Sequence, residues 1–452
     1  MRRFVVPLLV LLALAAYIFA GMPLASFHGD EAMHIYTSRD YATVFLEGRL
    51  DTLPVSPPYP IDADNRLRLL NGSVARYSIG LSWHLAGLNT GDLPPAPGWD
   101  WGLQYARNVE TGHRPSEALL LAGRRASTLF LALSVVVVFG LGRRLGGLPL
   151  AYVASILYAV NPVLLLNGRR SLVEGALLFF GLLTLWVGVE VAHRLKQERP
   201  GTRGVLLWLA LAAASALALA SKYSAATLVA AVYGGIGLAA LQNVLRSAQP
   251  WRSRLAALAR TGAALLVCGL LALALFLALS PALWNDPAAR LGDLAAALQE
   301  QIDIVVDILP DAPTGIAYRI QALLTQPFMT APAHFEQASW AEAAPITAEI
   351  AAYMASPLSG LQFGLLLGLP LTLLAGAGLL AAAGRVLHAE GASVVLLTVL
   401  ALLAISLLAN PLPWQRYYLL WLPVITLLAG VGLLAAWRGL STLVRSRRVG
   451  ET

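Results

Sequence analysis

The sequence predicts an all-α polytopic membrane protein with about ten transmembrane helices and two long extracytoplasmic loops that carry interfacial helices. Three observations carry that prediction. The first is composition: the chain has 452 residues, of which 58% are hydrophobic and only 13% charged, with a mean hydropathy of +0.67. Soluble domains carry about 25% charged residues, so this chain lacks the polar surface that covers a water-soluble body. That excludes an ordinary cytosolic enzyme, a disordered chain and, despite a net charge of +7, a nucleic-acid binder. The second is a series of apolar stretches of membrane-spanning length, roughly 20 residues each. The third is the sign of the charges between them.

The expected spans are, in order, 4–21, 118–141, 148–167, 172–192, 204–221, 224–242, 259–280, 359–383, 392–410 and 416–437. With the N-terminus inside, every inside segment is basic: Arg2 and Arg3, Arg143 and Arg144, Arg194 to Arg203, Arg246 to Arg260, Arg385, and Arg438 to Arg448. Short cytoplasmic loops collect Lys and Arg, so both termini are predicted to be cytoplasmic, in the cytoplasmic (plasma) membrane. The same parity puts 21 of the 25 acids outside, all but Glu190, Glu198, Glu390 and Glu451. The first span is short enough to serve alternatively as a cleaved signal peptide, which leaves the rest of the orientation unchanged. Cys268, the single cysteine, allows neither an internal disulfide nor a Cys-rich metal site.

The domain reading follows. Residues 1–437 form one transmembrane unit, with a first loop over 22–117, a second over 281–358, and a basic tail over 438–452. Loops this long are usually functional. The cytoplasmic side has no segment large enough for a nucleotide-binding domain and no G-x-x-x-x-G-K-[ST] motif. ATP-driven transport by this chain alone is therefore not expected.

In the first loop, Met33, Tyr36, Tyr41, Val44 and Phe45 follow helical spacing, which suggests an amphipathic helix at the membrane surface. Asp30 is its expected N-cap or first-turn residue, with Glu31 just behind it. A helix N-terminus favours the ionised carboxylate, which can serve as a general base or a metal ligand; plain capping is the alternative. His28 and His34 flank the pair, without a standard metal-ligand spacing. Pro54 to Pro58 reads as a turn or extended stretch, and Arg66, Arg68 and Arg76 follow among aromatic and apolar residues. Such arginines are membrane anchors or holders of an anionic head group. In the second loop, Leu291, Leu294, Leu298, Ile302 and Val305 predict an amphipathic helix from Pro287 to Leu309. Its acids Asp293, Glu300, Asp303 and Asp307 would face water or an acceptor.

Several cations sit where the positive-inside tendency would not put them. Arg169 and Arg170 lie between the third and fourth spans, with Glu174 at the start of the fourth. Lys222 lies in the tight turn after the fifth, and Arg416 at the start of the last. Charged groups at the membrane edge are costly and often functional; snorkelling to the interface is the alternative reading. All of them share the outer face with Asp30. Cations facing a carboxylate suit a phosphate-bearing substrate attacked by a hydroxyl.

The pattern resembles the GT-C class of polytopic glycosyltransferases that use lipid-phosphate sugars, in the branch of the protein O-mannosyltransferases and aminoarabinose transferases. The resemblance rests on Asp30-Glu31 after the first span and on Gly123-Arg124-Arg125-Ala126-Ser127, which leads through the second span to Gly142-Arg143-Arg144-Leu145-Gly146-Gly147. It rests further on Asn161-Pro162 followed by Arg169-Arg170 and Glu174, and on Arg416-Tyr417-Tyr418 with Pro423. Pro281 to Pro287 is also similar to some members. The resemblance implies an inverting displacement on a polyprenyl-phosphate sugar, with an extracytoplasmic active site. It implies Asp30 as base toward the acceptor or as ligand of a divalent cation (Mg or Mn), with Glu31 a neighbour that orients it or shares the cation. Glu174 takes the place of an Asp common in the family. Aminoarabinose transferases carry Arg three residues after the catalytic acid, where this chain has Met33. The lipid phosphate would then be held by Arg76, Arg169, Arg170, Lys222, Arg416 or Tyr417. The acceptor hydroxyl would belong to a protein, a lipid or a glycan.

Two other functions compete with this one. A secondary transporter or lipid flippase would carry midplane ionisable residues and interrupted helices, whereas here the spans are nearly free of acids. A structural subunit of a membrane complex would make the outer charges incidental.

Overall fold

The computed structural model describes residues 2–56, 63–195, 201–308, 315–388, 390–412 and 414–450. Pro57 and Pro58 of the expected extended stretch, Lys196 and Arg199 of an expected inside run, Leu309 and Pro413 lie outside them. Among the described residues the protein is helical, without strands. Eight helices among these residues are long and apolar enough to cross a membrane by length and composition, and Val5–Ala20 is a shorter apolar helix. The protein is a multi-pass membrane protein.

Two expected spans, 118–141 and 148–167, share one long helix, Glu117–Ala159, broken at Gly147, where φ is +79°. Only glycine adopts that backbone at little cost, so the chain turns there. Beyond Ala159 a short helix, Pro162–Arg169, starts afresh. Asn161 caps it, its side chain accepting from the N–H groups of Val163 and Leu164, and Pro162 occupies the first turn. Pro lacks the N–H that would otherwise be orphaned there. Farther along, the helices Gly364–Val386 and Trp421–Gly450 cross at two glycines. A Cβ on Gly378 would stand 1.9 Å from the carbonyl oxygen of Leu428, and one on Gly432 1.9 Å from that of Leu374. Backbones approach this closely only at small residues, the usual basis of helix association in lipid.

The two long loops fold onto each other at one end of the bundle. Val55 N–H donates to Ala282 O at 3.1 Å, Arg66 pairs with Glu300 at 2.7 Å, and Arg114 pairs with Glu349 at 2.6 Å. A separate apolar core, with Phe27, Ala32, Ile35, Trp83, Trp99 and Ile346 among its members, lies beneath them. The helix expected from Pro287 runs Pro287–Ile308, burying Leu294 and Ala297 while Glu300, Asp303 and Asp307 stay exposed. It packs with Leu69 and Leu283.

The first-loop helix runs Gly29–Thr37 and is shorter than its apolar periodicity suggested. A turn of π-helix, Ala42–Leu46, follows a break at Ser38. Of the two places expected for Asp30, N-cap or first turn, it takes the first turn, and His28 occupies the N-cap. The His28 ring accepts the Asp30 N–H at 3.1 Å, and the Glu31 carboxylate reaches back to the His28 N–H at 3.2 Å. Asp30 is left in the first turn with its side chain free for other partners.

Candidate active site

Helix Gly29–Thr37 presents two acids in succession, and the fold sends them to opposite partners. Glu31 is fully buried. Arg124 grips it through Nε to Oε2 and a terminal nitrogen to Oε1, both at 2.8 Å, and the Ser171 N–H donates to Oε2 at 2.8 Å. Burial alone would raise its pKa; Arg124, Arg170 and the Ser171 N–H outweigh burial and hold it below the usual carboxylate range. Glu31 therefore clamps the first loop to the helix of Arg124 and to the turn after Arg170. Its oxygens are engaged by Arg124, Ser171 and His28, away from the Arg416 that Asp30 meets, where the expectation had Glu31 orient Asp30 or share its cation.

Asp30 turns toward Arg416, which donates to Oδ2 at 2.6 Å. The same guanidinium reaches the second loop, its Nε lying 3.0 Å from Glu336 Oε1. The other Glu336 oxygen meets His28 Nε2 at 3.2 Å, while His28 Nδ1 stands 3.8 Å from Asp30 Oδ2. Phe335 stacks on the His28 ring at 4.7 Å. Burial raises the Asp30 pKa, but His28 and Arg416 together overcome both burial and the repulsion from Glu336, so the carboxylate is held ionised below its ordinary range. Glu336 is lowered in the same way, Arg416 and His28 outweighing burial.

A second pair lies beside the first. Lys222, at the end of the helix Thr202–Ser221, donates to Glu174 Oε1 at 2.8 Å, and its ammonium sits 5.7 Å from the centre of the Tyr417 ring. His34, one helical turn after Asp30, joins the two pairs. Its buried ring feels Asp30, Glu174, Lys222 and Arg416 at once. Burial, ahead of all four charges, lowers its pKa to about 4, so it is neutral at pH 7. Burial likewise raises the Tyr417 phenol, leaving it a neutral donor. The cluster thus gathers two carboxylates, Asp30 and Glu174, with two cations, Lys222 and Arg416, under a lid that includes Glu336.

Of the cations expected to hold a phosphate, Arg416 and Lys222 lie in this cluster. Arg76, Arg169 and Arg170 are engaged elsewhere, which corrects the expectation for those three. Arg76 donates to Asp40 Oδ2 at 2.9 Å and to the Arg68 carbonyl at 2.8 Å. Arg169 donates to the carbonyls of Ile18 at 2.8 Å and Tyr17 at 2.9 Å, and to the Tyr353 hydroxyl at 3.2 Å. Arg170 donates to the Ser26 carbonyl and hydroxyl at 3.0 Å each and to the His334 carbonyl at 2.9 Å. The physical reason is common to them: a buried guanidinium needs several acceptors, supplied by the last carbonyls of the first helix for Arg169, by loop carbonyls for Arg170 and by the Asp40 carboxylate for Arg76. Arg169 and Arg170 fasten the loops to the bundle, and Arg76 holds the first loop to itself. His28, His34 and Glu336 are the residues that sequence reasoning left out of the site. His34 had a signal in its i, i+4 spacing from Asp30; Glu336, in an irregular segment, had none.

The donor set around Asp30 does not suit a divalent cation. Among the described residues, no group of three or more His, Cys, Asp or Glu side chains could hold a metal ion. The two ring nitrogens of His28 face different carboxylates, and Arg416 occupies the space between Asp30 and Glu336.

Comparisons with known proteins agree with this architecture. Residues 104–285 match the family model for dolichyl-phosphate-mannose-protein mannosyltransferases. No curated protein sequence matches the chain. Among solved structures, an oligosaccharyltransferase of Archaeoglobus fulgidus in complex with zinc and sulfate superposes with a TM-score of 0.50 at 14% identity, over 95% of this chain and 49% of that one. ArnT of Cupriavidus metallidurans superposes with a TM-score of 0.50 at 12% identity, over 96% of this chain and 60% of that one. The chain thus spans about half the length of the solved structures it matches. The family match thus covers less than half of this chain, and the likeness to the solved structures is one of fold.

Proposed function

We propose that the chain transfers a sugar from a polyprenyl-phosphate donor to an acceptor hydroxyl, with inversion, at the outer face of the cytoplasmic membrane. The single observation that supports this most is the Asp30–Arg416 pair, a carboxylate kept ionised at the loop-bearing end of the bundle beside a second cation, Lys222. In this reading the acceptor oxygen attacks the anomeric carbon from the face opposite the phosphate. The acceptor proton passes to an Asp30 oxygen, and the bond from the anomeric carbon to the phosphate oxygen breaks. The polyprenyl phosphate leaves with that electron pair and with the charge that Arg416 and Lys222 stabilise. An arriving phosphate competes with Asp30 for Arg416, which frees the carboxylate to take a proton. Tyr417 stands beside the Lys222 ammonium as a neutral donor to a phosphate oxygen. The basic ends of the helices, away from the loops, support a reading with both termini in the cytoplasm.

The deciding measurement is transfer by the purified protein from synthetic polyprenyl-phosphate sugars of defined anomeric configuration to protein, lipid and glycan acceptors. An inverted linkage with release of polyprenyl phosphate is the expected outcome. Donor that crosses a bilayer intact, without any cleavage, would instead identify a flippase. A retained configuration would remove the single displacement and with it the role given to Asp30.

A further inference from the structure

The end of the bundle opposite the two loops carries a second site. There the helices Glu174–Arg194, Thr202–Ser221, Ala225–Arg246 and Trp251–Leu279 border a cavity of about 830 Å³, with Arg194, Arg246, Arg254 and Arg260 in its lining. None of the four forms an ion pair with a carboxylate among the described residues. The acid nearest in sequence among those residues, Glu190, pairs with Arg144 at 3.4 Å. Their hydrogen bonds go to neutral carbonyls: Arg246 to Leu387, Arg254 to Ser247 at 3.0 Å, and Arg260 to Ala256 of its own helix at 3.2 Å. The Nε atoms of Arg194 and Arg254 are buried without a partner. Four positive charges and two unsatisfied buried donors therefore converge on one cavity. Guanidinium groups in such a set match the oxygens of a phosphate.

We propose that this cavity binds the phosphate head group of an anionic glycerophospholipid. Three observations favour a lipid over free phosphate. Leu207 and Trp208 line the same cavity. The helices that border it present apolar side chains outward, with Leu206 59% and Leu255 51% exposed, a surface along which acyl chains can lie. Trp251, 63% exposed at the start of its helix, is placed as an interfacial anchor. A basic pocket between membrane helices on the cytoplasmic side is where anionic head groups are recognised. The site is roughly one helix length, on the order of 30 Å, from Asp30, and it takes no part in the proposed transfer.

The test is native mass spectrometry of the full chain released from micelles that contain equal amounts of palmitoyl-oleoyl phosphatidylglycerol and phosphatidylcholine, which differ only in head group. Wild type should retain phosphatidylglycerol over phosphatidylcholine by on the order of tenfold, and Arg194→Gln/Arg254→Gln should bring the two near parity. Arg246→Gln/Arg260→Gln removes the exposed pair and should give an intermediate loss; it decides the matter if the first variant fails to fold. Asp30→Asn should keep the preference. Equal retention of both lipids by wild type, or an unchanged preference in the folded variants, overturns the proposal. Full displacement of phosphatidylglycerol by millimolar inorganic phosphate overturns the lipid assignment.

Discussion

Asp30 and Glu31 are neighbours in sequence, both sit on a helix first turn, and both pair with an arginine from another element, yet the two pairs are built differently. Glu31 and Arg124 are sealed, at 0% and 3% side-chain exposure, and the Glu31 oxygens accept from Arg124, Ser171 and His28 together. Asp30 and Arg416 keep 16% and 21% exposure, and Arg416 is divided between Asp30 and Glu336. A carboxylate with every lone pair engaged has nothing left for a substrate proton. A carboxylate with one shared donor can exchange it. The same contrast separates Arg169 and Arg170, saturated by carbonyls, from Lys222 and Arg416. Saturation, more than charge or burial, divides the parts of this molecule that hold it together from those able to react.

The comparison breaks most sharply at its two acids. Asp30→Asn keeps the volume and the hydrogen bond from Arg416 but cannot take a proton. Transfer should fall by about two to four orders of magnitude, the scale of a lost general base, while expression and thermal unfolding stay near wild type. Near-normal turnover would show that the base lies elsewhere. Arg124→Met should do the reverse. It leaves Glu31 buried and unpaired, a loss of about 3–5 kcal/mol of stability, read as a lower unfolding temperature or failure to accumulate. A folded Arg124→Met with normal stability and impaired transfer would move the sealed pair into the catalytic class.

The spans and the loop-bearing end were legible because membrane helices announce themselves by length and apolarity. Asp30 was legible from its place just before a periodic apolar run, and Arg416 from its position at the head of the last span. The failures have one cause, that partners distant in sequence leave no local signal. Glu336 reaches Arg416 from an irregular segment without periodicity. Arg169 and Arg170 looked like unpaired outer charges because nothing in the sequence marks the free carbonyls of Tyr17, Ile18 and Ser26 that receive them. Asp30 falls in the first turn and His28 at the cap because Glu31 completes the reciprocal bonds of a capping box only from the third position of a helix that starts at Gly29.

The Glu174–Lys222 pair lies between the two extremes, since Glu174 is sealed at 2% exposure while Lys222 keeps 22%. If Lys222 holds the donor phosphate, Lys222→Met should raise the donor KM by about tenfold, the scale of one charge-assisted hydrogen bond, with a smaller effect on turnover. Glu174→Gln should act in the opposite direction, because it releases the ammonium from its carboxylate and leaves the donor KM at or below wild type. Parallel losses in both variants would place the pair with Glu31 and Arg124 as a fastening.

The smallest effect concerns His34, and here the expected result is a flat profile. Its pKa is lowered to about 4 chiefly by burial, with Asp30, Glu174, Lys222 and Arg416 acting on it together, and Asp30 is held below the ordinary carboxylate range by His28 and Arg416 against burial. Both shifts have the same consequence for pH. A lowered pKa means that the neutral imidazole and the charged carboxylate both persist as the solution is acidified. The phosphodiester of the proposed donor adds no group that titrates in this range. Single-turnover transfer should therefore change little between about pH 8 and pH 5, and fall only on approach to about pH 4, where protonated His34 would place a positive charge beside Asp30 and weaken it as a base. An exposed histidine would produce an inflection near its ordinary value of about 6.5. His34→Asn removes the titrating ring, so in the variant any acid limb that remains belongs to Asp30. An inflection near pH 6.5 in wild type that disappears in His34→Asn would mean that water reaches the ring, and that the cluster around Asp30 is more open than the packing of Glu336 and Phe335 over His28 makes it.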